Sequence, residues 1–122
     1  MQVDPIAAQQ ADPAAPRARR GPGAQIERVV LALAGGHGRV VEHRERGWAS
    51  ITFAGTRHTL RMAFDTPAGI EGGETLIAAL PDHEFTLAGR LVADATISAV
   101  DHKMEPTPTL TVTCELLVLE DG

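Results

Sequence analysis

Ile26, Val29, Val30 and Leu33 recur at i, i+3, i+4 and i+7, and Gly35-Gly36 follows them at once. An apolar stripe of that period closed by glycines predicts an amphipathic helix with a left-handed cap. Such a helix needs an apolar surface to lie on, and the rest of the chain must supply it. From Arg39 onward the period falls to two, so that surface is a sheet.

Arg39–Glu45 reads as a charged strand, Glu45-Arg46-Gly47 as a turn and Trp48–Ala54 as a second strand. Ala54-Gly55-Thr56-Arg57 makes another turn, and His58–Asp65 alternates as a third strand. If the turns pair Val41 with Ile51 and Ile51 with Leu60, one apolar face results. Val41, Ile51, Phe53, Leu60, Met62 and Phe64 then point the same way. The charge of the first strand suits an edge, where it discourages pairing with another chain. Thr66-Pro67-Ala68-Gly69 breaks the sheet, and Glu74–Leu80 forms a short helix with Leu76, Ile77 and Leu80 on one side. Pro81-Asp82 ends it.

Phe85–Val100 and Leu110–Leu119 form a long hairpin around Pro106 and Pro108, with Gly89 marking a bulge or the strand's start. Pairing Ile97 with Val112 aligns Ala93, Ala95, Ile97 and Ala99 with Val112, Cys114, Leu116 and Val118. The small residues leave room for a helix. The expected fold is α+β: an antiparallel sheet of about five strands with two helices on one face, in the order α-β-β-β-α-β-β.

One domain of ordinary size fits the 122 residues. The N-terminal segment 1–23 holds Pro5, Pro13, Pro16 and Pro22 among alanines and the Arg17–Arg20 cluster. It has no apolar period and is expected to be a mobile tail before a domain at 24–122. The chain's net charge of −5 argues against nucleic acid and anionic membrane as partners, and the few aromatic residues offer no stacking platform. No apolar run reaches the roughly 20 residues of a membrane span. The first residues lack the pattern of a signal peptide, and the lone Cys114 fits a reducing compartment. A cytoplasmic location is expected. The arginine excess over the single Lys103 reads as the coding bias of a GC-rich bacterial genome.

The five histidines, His37, His43, His58, His83 and His102, stand in no metal-binding spacing such as H-x-x-x-H, and no second cysteine supports a zinc site. No metal or other cofactor is expected. Gly35-Gly36-His37-Gly38 lacks the Gly-Lys-Ser/Thr of a phosphate loop. His58 falls beside Phe53 at the margin of the core face, as a hydrogen-bonded core residue or a perturbed acid-base group. The assumed hairpin register sets Asp94 opposite Glu115 on the outer face. Three explanations fit: a catalytic or cation-binding pair, neutralisation by Arg61, or a register that differs from the assumed one. Cys114 points into the core and is inert.

Trp48-Ala-Ser-Ile-Thr-Phe-Ala-Gly-Thr-Arg-His58, with Leu91-Val-Ala-Asp94 and the Cys114–Leu119 strand, resembles an uncharacterised family of small alphaproteobacterial proteins. The likeness spans most of residues 24–120 and implies a bacterial cytoplasmic origin, with no catalytic residues to transfer.

The outer face should mix Trp48, Val92, Leu117 and Leu119 with Arg61, Asp94 and Glu115. A solvated sheet face is normally polar, and such a mixture is common on contact surfaces. The leading expectation is a non-enzymatic interaction module that meets another protein or its own copy through this face. The alternatives are a small enzyme using Asp94 and Glu115 with His58, and a carrier of an apolar ligand lodged between sheet and helices.

Overall fold

The computed structural model describes residues 21–120, apart from the side chain of Pro22. The expected mobile tail, with its Arg17–Arg20 cluster, falls mostly outside the described residues. Its last residues, Pro22 and Gly23, already belong to helix α1 (Pro22–Leu33). The remaining elements are β1 (Arg39–Ala49), β2 (Ala54–Phe64), α2 (Pro67–Ala79), β3 (Arg90–Lys103) and β4 (Thr109–Glu120). The four strands form one antiparallel sheet in the order β1-β2-β4-β3.

Helix α1 ends where its glycines require. Gly35 N–H donates to Ala32 O and Gly36 N–H to Leu31 O, each at 2.9 Å, with φ of +73° and +81°. That is the Schellman arrangement, open to residues without a Cβ. Ile26, Val30 and Ala34 are buried, and Leu33 packs at the margin of the core.

The expected three short strands are two long ones, which reduces about five strands to four. Glu45-Arg46-Gly47 continues β1, and the reversal lies at residues 50–53, where Ser50 N–H donates to Phe53 O at 2.8 Å. Gly47 is tolerated in the strand because it sits on an edge and pairs opposite Thr56. Ile51 and Phe53 therefore occupy the hairpin tip and are exposed, and Val41 sits at a bulge between Val40 and Glu42. None of the three joins the core face, whereas Leu60, Met62 and Phe64 are fully buried there.

Helix α2 begins earlier than its apolar residues suggest. Thr66 Oγ1 accepts from Gly69 N–H at 2.9 Å and Pro67 occupies the first turn, so the supposed breaker is an N-cap. Its glycines serve contact. A Cβ at Gly72 would stand 2.2 Å from Ala34 O, where the two helices meet. Leu76 and Leu80 complete one core cluster with Ile26, Val30, Leu60, Met62, Phe64 and the inward residues of β4. Both helices thus cover the same face.

The C-terminal hairpin holds two bulges, between Val92 and Asp94 and between Ile97 and Ala99. Each shifts the side-chain parity by one. Ala95 and Ile97 face inward opposite Leu116 and Cys114, as expected, but Ile97 does not pair with Val112. Outside that window parity reverses: Val92 pairs with Val118 and Val100 with Val112, while Ala99 turns to the outer face opposite Thr113. Among the described residues, no helix is long and apolar enough to cross a membrane.

Candidate functional site

The outer face is built of cross-strand rows. At the end near the β1–β2 turn, Trp48, Gly55, Leu119 and Leu91 stand side by side across β1, β2, β4 and β3. The next row is Arg46, Arg57, Leu117 and Asp94, and the one after it Arg44, Thr59, Glu115 and Thr96. Gly55 lets the first row close up, because a Cβ there would meet Val118 O at 2.2 Å. Leu117 and Leu119 are 8% exposed, and Trp48 is half-buried.

Of the residues expected on this face, Trp48, Arg61, Asp94, Glu115, Leu117 and Leu119 lie there. Val92 does not, because the bulge beside it turns it toward the helices. Asp94 and Glu115 are not opposite one another. Asp94 pairs with Leu117 and Glu115 with Thr96, so the expected carboxylate pair dissolves with the register that produced it. Arg61 does not neutralise that pair either. Its Nε and Nη2 donate to Glu42 Oε1 at 3.3 and 3.1 Å. Glu115 instead stands 3.9 Å from Arg57 Nη1.

Arg46 directly faces Arg57, two like charges where a ladder favours opposite ones. Arg44 pairs with Glu42 at 3.3 Å, but Arg46 makes no ion pair among the described residues. A shallow concavity of about 390 Å³ runs beside them, lined by Arg44, Arg46, Arg57, Thr59, Glu115 and Glu45. Another, of about 550 Å³, lies at the apolar end against Phe53, Leu91 and Leu119.

The inner face carries a buried polar inlay at the β1 edge, where Glu27 of α1 reaches it. His43 and Glu45 are two residues apart on β1 and project from the same side; His58 of β2 stands directly opposite Glu45. Glu27 Oε2 accepts from His43 Nδ1 at 2.6 Å, and His43 Nε2 meets His58 Nδ1 at 2.9 Å. Glu45 Oε2 lies 3.9 Å from His43 Nε2. The His43 side chain is 2% exposed and His58 is equally covered, while the Glu45 side chain is 42% exposed. His58 was expected beside Phe53; it reaches the core face, but its neighbours are His43 and Glu45.

Spacings such as H-x-x-x-H did not single out His43, Glu45 and Glu27 in the sequence. On strands the usable spacing is i, i+2 plus a cross-strand partner, and His43-x-Glu45 displays it. The partner became identifiable only with the register. Cys114 lies buried on the inner face, where desolvation and, secondarily, the charge of Glu115 push its thiol up to about 12. It is therefore no nucleophile near neutral pH.

No family model, no curated protein and no solved structure matches the chain, and the assignment of roles rests on this geometry.

Proposed function

We propose that the domain is a non-enzymatic binding module whose outer sheet face docks an acidic segment of a partner protein that also carries an apolar side chain. The observation that carries this reading is the Arg46–Arg57 pair beside the Trp48–Leu119–Leu91 row. Two facing guanidiniums repel, and a carboxylate placed between them removes that repulsion while accepting forked hydrogen bonds. Aliphatic and aromatic surface one row away accommodates the neighbouring apolar group. Arginine and tryptophan are the side chains most often found to dominate interface energies. The overall charge of −5 makes this local positive patch a steering feature, because the rest of the surface repels acidic partners.

The same reading places the protein in the cytoplasm, with its one cysteine reduced, and among bacterial proteins of the family it resembles. A carboxylate-based enzyme loses support because Asp94 and Glu115 are not opposed. The carrier reading loses support because the interior between sheet and helices is filled by fully buried side chains such as Phe64, Met62 and Leu76.

Trp48 is the sole tryptophan, and it reports on this face directly. Titration with a synthetic peptide alternating glutamate and leucine should change its fluorescence saturably. The affinity should fall with added salt, since exposed charges are screened over about 10 Å at 0.1 M. A lysine–leucine peptide should have no effect. A flat response to the glutamate peptide removes this function. Self-association seen by light scattering without peptide would replace the acidic partner with a second copy.

A further inference from the structure

We infer that His43 Nε2, His58 Nδ1 and the Glu45 carboxylate form a binding site for a divalent transition-metal ion of the zinc class, with Glu27 orienting His43. This inference is independent of the outer face, which lies on the opposite side of the sheet.

The donor atoms of the three residues all lie within 4.8 Å of one another. Two nitrogens bound about 2.0–2.1 Å from one ion stand about 2.9 Å apart at a right angle and about 3.4 Å apart in a tetrahedron. The edges from His43 to His58 at 2.9 Å and from His43 to Glu45 at 3.9 Å bracket the tetrahedral one. The longer edge ends on the most exposed of the three side chains, whose carboxylate swings inward without disturbing the core.

The second observation is Glu27. Metal-bound histidines almost always donate their other ring N–H to a carboxylate, a carbonyl or water, which fixes the tautomer and raises the basicity of the ligating nitrogen. Glu27 reaches His43 Nδ1 at 2.6 Å from a different element, helix α1. With that proton committed to Glu27, the lone pair of His43 Nε2 faces His58 and Glu45. Without an ion, this contact is an N–H···N hydrogen bond from His58. Coordination replaces it, the His58 proton moving to Nε2 so that Nδ1 presents its own lone pair.

The placement fits access as well as geometry. Two imidazoles are buried beside apolar side chains of the same face, where Val40 and Leu60 on the same strands show what packing alone selects. The ligand set lies at the sheet edge, β1 having no outer neighbour among the described residues, and Glu45 opens it to solvent. Three protein ligands leave one exchangeable position there. Nitrogen and carboxylate donors suit zinc and its neighbours better than calcium or magnesium, which favour all-oxygen sites.

The full chain titrated with zinc chloride by calorimetry should take up one ion. Cobalt chloride should give a visible absorption band from the same site. Nitrogen-edited histidine NMR spectra should show His43 Nε2 and His58 Nδ1 moving with the ion. Glu45→Gln should weaken binding at least tenfold, and Glu27→Gln by about ten- to a hundredfold. Both variants should keep the wild-type circular dichroism of the metal-free protein. No saturable uptake at millimolar zinc overturns the inference. So does wild-type affinity in both variants, or a response confined to the exposed His37, His83 and His102. If a variant fails to fold, the wild-type histidine shifts alone decide the matter.

Discussion

The two faces of the sheet are inverse mixtures. The buried part of the inner face is apolar with a polar inlay at the β1 edge; the outer face is mostly polar with an apolar inlay around Leu117 and Leu119. The pure part of each face suits packing on one side and hydration on the other. Each inlay runs against its surroundings, and departures of that kind tend to mark function or strain. The difference between the inlays matters too. The inner one is satisfied by contacts within the chain, Glu27 to His43 to His58, whereas the outer one leaves Arg46 facing Arg57. On the proposed readings, the inner cluster is organised before an ion arrives, whereas the outer face leaves charge for a partner to neutralise.

If the apolar part of the inner face carries stability, truncating it should have the largest effect. Leu60 is fully buried between His43 and Cys114 on the neighbouring strands. Leu60→Ala should cost about 2–5 kcal/mol in denaturant unfolding, from lost transfer energy and the cavity left behind. A loss below about 0.5 kcal/mol, the scale of ordinary surface changes, would erase the distinction between the faces.

An intermediate effect is expected at the outer apolar inlay. Leu117 is nearly covered, yet it lies on the open side of a central strand between Arg57 and Asp94. Leu117→Arg should leave the protein folded, because the arginine stem can lie along the surface with its charge in water. The cost should stay within the roughly 1.5–3 kcal/mol of a buried leucine, and response to the acidic peptide should be lost or changed. Global unfolding by circular dichroism would place Leu117 in the core and dissolve the outer inlay.

Which parts of this arrangement were legible depended on how local their causes are. The stripe from Ile26 to Leu33 and its glycine cap are contiguous, and α1 followed from them to within two residues of its start. The inward residues Leu60, Met62 and Phe64, and the antiparallel α+β class, came from period two alone. Strand number failed because Gly47 imitates a turn, while the real reversal at residues 50–53 contains the apolar Ile51 and Phe53. Bulges have no sequence marker here, and the one beside Val92 turned it inward; the loop-end pairing of Lys103 with Thr109 had already set a register that keeps Asp94 and Glu115 from standing opposite. The start of α2 was missed because Thr66-Pro67-Ala68-Gly69 reads as a break, while Gly72 and Gly73, which let the helix approach Ala34, Phe64 and Leu110, have a tertiary reason. The histidine cluster failed for the same cause: Glu27, His43 and His58 come from three elements, and only β1–β2 registry with α1 docking unites them.

The smallest expected effect on stability is the most discriminating between the faces. Arg46→Glu turns a like-charged cross-strand pair into an opposite one, since Arg57 stands directly across. Cross-strand charge pairs contribute roughly 0.2–1 kcal/mol, so the variant should unfold at the same or slightly higher denaturant concentration. Its response to the glutamate–leucine peptide should nevertheless disappear, because the replacement carboxylate occupies the position the ligand would take. Opposite signs in the two measurements mean that the repulsion is kept for binding, a trade of stability against function of a kind common at binding sites. Zinc uptake gives the control: the Arg46 side chain projects away from the histidines, and affinity should equal that of the wild type. A variant that is more stable and still responds to the peptide leaves the arginine pair without a role in recognition, and the outer inlay is then ordinary solvated surface.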